Sequence, residues 1–547
     1  MPPSALNLLV FRETRQQTRG SAVRSALLRE LAHFPARPSR DNVMAALLRA
    51  GELECAGADA EDSSAHELSQ VTNLLAETLL EPESRVDRSR LAKDLAEAVI
   101  PDHVLVSPPE GFAYYALHPL AYAEVLSNIA PGTQSIVVIG IRSIGSTLSA
   151  ITAAAARKLG LNAQRFTVRP DGHPYNRRAH FSPEQADLVR QSASGDATFL
   201  VVDEGPGLSG SSFIAVAEAL ERAGVPREKI ALICGHQPDF DSLRADAGPR
   251  RARRFRWLAA SSPRPRPAGA DVLVGGGAWR KFLFPGEASW PASWTSLERL
   301  KYLSSEPSAN RKLFRFLGFG HYGQKVFERE ERIAADGFGP RPTRESDGFA
   351  SYDWLQGRPM AAFDLSVTTL ERLATYCAFR AEAFSTEIAD LNVIERMTGH
   401  NLRELEIDLP VTLTIERPAI CDGRMQPHEW LLAEDGNMLK TDSGSHGDDH
   451  FFPGPADIAW DLAGAIIEWQ MDEAQAEVFL EIYRRASGDD ARGRIADFTI
   501  AYAAFRSAYS RMAANALAGD EEEIRHRRAA AAYDAVFEQL GRLTVRP

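Results

Sequence analysis

Long apolar runs are missing from this 547-residue chain. The N-terminal stretch MPPSALNLLVFRETRQQTRG holds only a short one, and nothing later reaches the roughly 18 residues that a spanning helix needs, so neither a signal peptide nor a membrane segment is expected. Cysteine is scarce too. Cys55, Cys234, Cys377 and Cys421 lie far apart with no CxxC pair, which argues against a disulfide framework and a structural zinc site and fits a reducing cytoplasm. An excess of positive charge is also absent: 62 Lys+Arg stand against 74 Asp+Glu, for a net −12. A wholly basic nucleic-acid coat or polybasic membrane skin is thereby excluded, and any such surface has to be local. What remains is 44% hydrophobic and 25% charged residues, an ordinary globular composition on a chain too long for one core. Two large domains plus an accessory segment are expected.

Residues 1–100 read mainly as helix, because SAVRSALLRELAHF and HELSQVTNLLAETLL space their apolar residues by three and four. From about 101 the pattern changes to short β-branched runs alternating with Ala/Leu-rich helices: SIVVIGIRS, TLSAITAAAARKLG, RFTVRP, TFLVVDEGPG, FIAVAEALERAGV, KIALICG. That alternation predicts an α/β domain with a mostly parallel sheet over 101–260. RADAGPRRARRFRWLAASSPRPRPAGA follows, rich in Arg and Pro, and reads as a connector, with the linker proper at 261–270. Its arginines Arg250, Arg251, Arg253, Arg254 and Arg256 suit either a phosphate or nucleic-acid patch or, the favoured reading, pairing with the protein's own acidic surface. A second domain is expected over 271–547, opening with strand-like segments and closing in long helices.

The strongest chemical signal is FLVVDEGPGLSGSSF, 199–213. Four apolar residues make a buried strand, Asp203 and Glu204 stand at its carboxyl end, and a Gly/Ser loop opens the next helix. In an open parallel sheet ligands bind at that end. Small residues let backbone N–H groups close around a phosphate, with the helix N-terminus adding its partial positive charge. An acidic pair beside such a cradle suits the vicinal hydroxyls of a ribose, so the loop reads as a ribose 5-phosphate site.

The segment resembles the phosphoribosyl pyrophosphate signature of type I phosphoribosyltransferases. The resemblance implies that Asp203 and Glu204 hold the ribose hydroxyls and that Ser209, Gly210, Ser211 and Ser212 bind the 5-phosphate; the GPGL insert makes the loop one residue longer than usual. Arg142, Ser143, Ile144 and Gly145 in IVVIGIRSIGSTLSA occupy the position of the family's pyrophosphate loop, where a guanidinium pairs with phosphate oxygens. TVRPDGHPYNRRAHF lies where the family carries a flap, so Arg169, His173, Tyr175, Arg177 and Arg178 are candidates to cover the reacting centre. Mg2+ is implied by the diphosphate leaving group. Tyr114, Tyr115 and His118 in SPPEGFAYYALHPLAY either stack on a planar nucleobase-like acceptor or belong to the core.

The C-terminal domain resembles aminoglycoside-phosphotransferase and choline-kinase-like small-molecule kinases. LVGGGAWRKFLF sits where the glycine-containing turn of the first two strands belongs, and RKLFRF where the phosphate-binding Lys does, making Lys312 or Arg315 the candidate. KVFEREERIAADGF offers Glu328, Glu330 or Glu331 as ion-pair partner, with Glu331 taken into the candidate nucleotide site, and ASYDWLQGRPM is the hinge strand. In ICDGRMQPHEWLLAEDGNMLKTDSG, Asp442 fits a metal-binding Asp and Glu429 the metal-binding Asn. Arg424 stands at the base position, and guanidinium does not abstract a proton. Asp422 is therefore the alternative base, and Asp461 in PADIAWDLAGAIIEW is structural. His446, Asp448, Asp449 and His450 form an acidic, His-rich insert, read as a metal site or, more readily, a solvated loop.

The expected fold is thus an N-terminal helical segment, a parallel-sheet type I phosphoribosyltransferase domain and a two-lobed, α+β kinase-like domain. The expected activity is a Mg2+-dependent phosphoribosyltransferase using phosphoribosyl pyrophosphate and a nucleobase-like acceptor, or the reverse, fused to an ATP-dependent small-molecule kinase-like domain. The alternative is a nucleotide-sensing regulator whose kinase-like domain is degenerate. Neither membrane nor nucleic acid is an expected partner.

Overall fold

The computed structural model describes residues 6–35, 37–60, 65–81, 88–129, 132–260, 264–307, 310–387, 390–447 and 449–544. Ser261–Pro263 of the linker and Asp448 lie outside them.

Helices Gly20–Ala32, Arg40–Asp59, Ala65–Leu80 and Arg88–Glu97 form the N-terminal segment. Their three- and four-residue spacing puts Leu27, Leu47, Leu68, Leu75, Leu91 and Leu95 inside. The Arg40–Asp59 helix starts on a reciprocal cap: Ser39 Oγ accepts from Asn42 N at 3.2 Å and Asn42 Oδ1 from Ser39 N at 3.1 Å. It then crosses the sheet helix Ile144–Lys158 at Gly51, where a Cβ would stand 2.0 Å from Thr147 Oγ1, so only glycine permits the approach. This segment shares one continuous apolar core with one face of the parallel sheet.

That sheet has five strands, all parallel, in the spatial order Asn162–Val168, Ser135–Ile141, Thr198–Val202, Ile230–Cys234, Arg256–Ala259. The middle strands are almost wholly buried, which is why their sequences run as uninterrupted Val, Ile and Leu. The chain turns to one side after its first strand and to the other after its second. The order therefore reverses between Ser135–Ile141 and Thr198–Val202, and a crevice opens beyond their carboxyl ends. The next residues are Arg142 and Asp203.

The Arg/Pro stretch departs from a free connector. Gly248–Ala252 is a short helix and Arg256–Ala259 is the fifth strand, because Phe255 and Trp257 supply apolar surface that the sheet edge buries. The arginines between them turn outward: Arg251 pairs with Glu218 at 2.7 Å, Arg253 with Asp241 at 2.7 Å and Arg254 with Glu221 at 2.8 Å.

The C-terminal half has two lobes. An antiparallel sheet in the order Val272–Leu273, Lys301–Leu303, Lys312–Phe316, Phe349–Asp353, Thr343–Arg344 carries the helix Gly320–Ala335. DVLVGGGAWRKFLF supplies only a two-residue strand, since Gly276 and Gly277 take positive φ and Arg280–Leu283 turns helical. The second lobe packs helices Val367–Ala383, Leu391–Glu404, Ala459–Glu468, Glu473–Ser487, Arg492–Ala516 and Glu521–Thr544 around a small sheet of Gly357–Pro359, Trp430–Ala433 and Met438–Lys440. Among the described residues no helix is long and apolar enough to cross a membrane.

Candidate functional sites

The crevice of the parallel sheet brings together two loops that are sixty residues apart in sequence. Gly140 ends the first strand where a Cβ would meet Gly145 O at 2.2 Å, so the Arg142–Gly145 turn folds flat over the strand end. From the neighbouring strand, Asp203 and Glu204 point into the same space. Asp203 Oδ1 accepts from Glu204 N at 2.9 Å, Glu204 Oε2 from Gly111 N at 3.0 Å, and Tyr122 donates to Asp203 O at 2.8 Å. Burial pushes the Asp203 carboxyl up to about 7; burial together with the nearby Glu110 pushes Glu204 up to about 8. Two half-buried acids are therefore held side by side, with no ion-pairing cation among the described residues.

The loop after them reverses at Gly210, whose φ of 68° lies in the left-handed region, and enters the helix Ser211–Arg222. Ser209 Oγ stands 3.0 Å from Ser211 Oγ, and Ser211 donates to Pro174 O at 2.6 Å. Ser212 follows in the first turn. The Ser211 bond fastens the segment 170–178, an antiparallel hairpin of Asp171–His173 with Asn176–Arg178, to the loop. His173 and Tyr175 on that hairpin are exposed, and Arg177 donates to Pro170 O at 3.0 Å.

Arg142 and Arg169 converge on an acid from outside this domain. Asp59, at the end of the helix Arg40–Asp59, accepts from Arg142 Nη1 at 2.8 Å, from Arg169 Nε at 2.7 Å and from Arg169 Nη2 at 2.5 Å. The sequence reading missed Asp59. It sits in a helix assigned no chemistry, and only the fold carries it to the two guanidiniums.

The second site is a cavity of about 260 Å³ between the two lobes of the C-terminal half. Strand alternation points Leu313 and Arg315 into it and leaves Lys312 outside the lining. Helical phase does the same for the acids: Glu330 is buried and pairs with Arg315, whereas Glu328 and Glu331 face solvent. Arg315 Nη1 also donates to Asp442 Oδ1 at 2.5 Å, Lys301 Nζ to Asp442 Oδ2 at 2.9 Å, and Ser445 Oγ to Asp442 Oδ1 at 3.1 Å. Burial alone would raise the Asp442 carboxyl, yet Arg315 and Lys301 hold it well below the usual range. Lys301 was missed because it lies on the preceding strand, outside every recognisable segment.

Arg424, His428 and Glu429 also line the cavity. Asp422 does not. It is fully buried behind the lining, takes a hydrogen bond from Tyr376, and lies 3.5 Å from Lys440 Nζ and 3.3 Å from His446 Nδ1. Burial would raise its carboxyl, but Lys440, His446 and Arg380 hold it far below the normal value. Asp461 accepts from the backbone N–H groups of Asp422 and Gly423 at 2.7 and 2.8 Å, which fixes this loop. The His-rich insert is packed rather than solvated, since His446 and His450 are both buried.

Mg2+ fits the two sites unequally. In the crevice, Asp203 and Glu204 are hard oxygen donors with uncompensated charge, and a cation arriving with a diphosphate would relieve it. In the cavity both oxygens of Asp442 are already bound to cations, and Glu429 lies 3.7 Å from Lys440. Among the described residues no three His, Cys, Asp or Glu are grouped to hold a metal. Asp442 and Glu429, the two acids expected to hold the metal, therefore do not fit a catalytic Mg2+ in this arrangement.

The two sites share a wall. In the segment Glu110–Tyr115, Gly111 bonds Glu204, Phe112 O accepts from Phe319 N of the C-terminal half at 3.0 Å, and Tyr114 lines the cavity. Tyr115 stands 3.0 Å from His450 Nε2, while His118 lies 3.6 Å from Asp347, which places it away from both sites.

No family model matches the chain, and no curated protein does. Among solved structures it is similar to the choline kinase LicA from Streptococcus pneumoniae, with 14% identity and a TM-score of 0.31, covering 43% of this chain and 90% of that one. It is also similar to a choline kinase from Cryptosporidium parvum, with 11% identity, a TM-score of 0.32, and 50% and 97% covered. For the macrolide 2'-phosphotransferase MphH from Brachybacterium faecium the values are 14%, 0.29, 47% and 96%.

Proposed function

We propose that this chain is a two-site enzyme of small-molecule metabolism: a Mg2+-dependent phosphoribosyltransferase over about 101–260, joined to a nucleotide-binding, kinase-like domain over 271–547. The observation that carries the first half is the half-buried acidic pair Asp203–Glu204 at the reversal point of the parallel sheet, beside a Ser/Gly loop that opens a helix. In this reading Asp203 and Glu204 bind the ribose hydroxyls. The loop Ser209–Ser212 and the helix start hold the 5-phosphate. Arg142 and Arg169 meet the diphosphate, and the 171–178 hairpin excludes water from the reacting carbon. The C1–oxygen bond to diphosphate breaks, a nitrogen of a nucleobase-like acceptor bonds C1, and the acceptor's proton is lost to solvent. Mg2+, when bound, neutralises the departing diphosphate. A reducing cytoplasm is the compartment proposed, since all four cysteines are free and buried.

The test is consumption of phosphoribosyl pyrophosphate with a panel of nucleobases, on wild type and Asp203→Asn. A fall on the order of 100-fold in the variant is expected, as for loss of a group that stabilises developing charge. Equal rates in the two proteins, or no consumption by wild type in either reaction direction, would sink the assignment.

For the second half, one observation favours a binding site over a phosphotransferase. Asp422 is walled off behind Tyr376, Lys440 and His446, and the side chain that reaches the cavity near the reacting position is Arg424. The position expected of the base is thus taken by a guanidinium, which does not abstract a proton. The cavity is accordingly read as a nucleotide-responsive site. Release of ADP from ATP by the purified protein would return the phosphotransferase reading to the lead.

A further inference from the structure

We infer that the cavity binds a nucleoside polyphosphate through the protein's own cations, without a divalent metal. This rests on the nucleotide reading of the cavity given above. The apolar end, lined by Val274, Leu303, Leu313, Leu355 and Leu431 between the antiparallel sheet and the second lobe, has the chemistry of a slot for a planar base. The opposite end is where phosphates would lie, and there the chain offers cations.

Three features mark that end. The acid best placed to hold a metal, Asp442, already has both oxygens bound by Arg315 and Lys301. A metal would have to displace two cations and then sit among them. Second, Arg424 lines the cavity, and the hydrogen bond it makes is from its backbone N–H to Asp422 Oδ1 at 3.3 Å, not from its guanidinium. Arg299 beside it donates only to the carbonyls of Ala113 and Leu317, at 3.1 and 2.7 Å, with its guanidinium 5.2 Å from the Tyr114 ring centre. Neither has a carboxylate within ion-pairing distance among the described residues. Third, burial lowers the Arg299 pKa more than the charges of Asp449 and Asp442, farther off than an ion pair, raise it. Two half-buried guanidiniums with no acid within ion-pairing distance among the described residues form an anion site, since guanidinium pairs bidentately with phosphate oxygens and does so without an intervening ion. The chain has thus placed fixed positive charge where a metal-dependent site would place its cation.

The experiment is calorimetric titration of the full-length protein with ATP, once in EDTA and once in millimolar MgCl2, with adenosine as a control ligand. The expected result is an ATP affinity in EDTA equal to, or up to about tenfold tighter than, that with Mg2+, because Mg2+ masks the phosphate charge that the arginines read. Arg424→Ala should weaken ATP by about tenfold in EDTA while leaving adenosine affinity unchanged, and Arg424→Lys should recover part of the loss. Thermal unfolding of both variants reports whether they fold. ATP binding seen only with Mg2+ overturns the inference and leaves the nucleotide reading standing. If ATP binds under neither condition, the nucleotide reading falls and this inference falls with it.

Discussion

The crevice and the cavity are opposite in charge. The crevice half-buries Asp203 and Glu204 with no cation in ion-pairing contact among the described residues, and their carboxyls are pushed up to about 7 and 8. The cavity ties its central acid, Asp442, to two cations and leaves Arg299 and Arg424 without a carboxylate in ion-pairing contact among the described residues. An uncompensated acid pair is costly until a cation and sugar hydroxyls arrive. An uncompensated pair of arginines is costly until an anion arrives. Each site is incomplete in the sense that its proposed ligand would complete. On the proposed reading a chain of net −12 meets two polyanions through local residues, since these and not the total charge face the ligand.

The largest way to break this contrast on the cavity side is Arg315→Met. It leaves Glu330 buried without its cation and removes one of two charges from Asp442. A loss of stability on the order of 3 kcal/mol is expected, as when one partner of a buried pair is removed. Urea unfolding measures it, and the double variant Arg315→Met/Glu330→Gln should recover part of the loss. A neutral single variant would mean the pair is not buried as described.

The crevice should behave in the opposite way. Asp203 has an ordinary carboxyl value of 3.8 in the unfolded chain and about 7 when folded. Between those values the folded protein keeps a proton that the unfolded chain has released, so stability falls as pH rises through that window. Asp203→Asn removes this dependence. The variant is expected to be more stable than wild type at pH 8, by on the order of 1–3 kcal/mol, and no more stable near pH 4. Thermal unfolding at several pH values checks it. A difference that does not change with pH would show that Asp203 is not charged at a burial cost.

Much of the crevice was legible in the sequence, because a doubly buried parallel strand must be a short apolar run and must end where ligands bind. FLVVDEGPGLSGSSF states both. The cavity was less legible. Whether Lys312 or Arg315, or Glu330 or Glu331, faces inward depends on strand alternation and helix phase relative to a partner lobe, which neighbouring residues in sequence do not reveal. Asp422 looked available because its segment has the right residue types, but Tyr376, from a helix earlier in the chain, and Lys440, from the strand that ends the same segment, enclose it. The arginines at 250–256 misled in the same way: charge density suggested a connector, while Phe255 and Trp257 between them carried the strand.

The smallest effect concerns Asp59, which lies at the edge of this contrast because it gives the crevice's two arginines an acid of their own. Arg142, Arg169 and Asp59 are all partly exposed, with side chains 15%, 32% and 23% accessible. Pairs of this kind contribute about 0.2–1 kcal/mol. If Arg142 and Arg169 serve the diphosphate, that ligand has to displace Asp59 before it can bind them. Asp59→Asn is therefore expected to tighten binding of inorganic diphosphate by roughly two- to fivefold, the free-energy range of such a pair, with ribose 5-phosphate unaffected. Titration with the two ligands separates the cases. Weaker diphosphate binding in the variant would mean that Asp59 holds the guanidiniums in position for the ligand rather than competing with it.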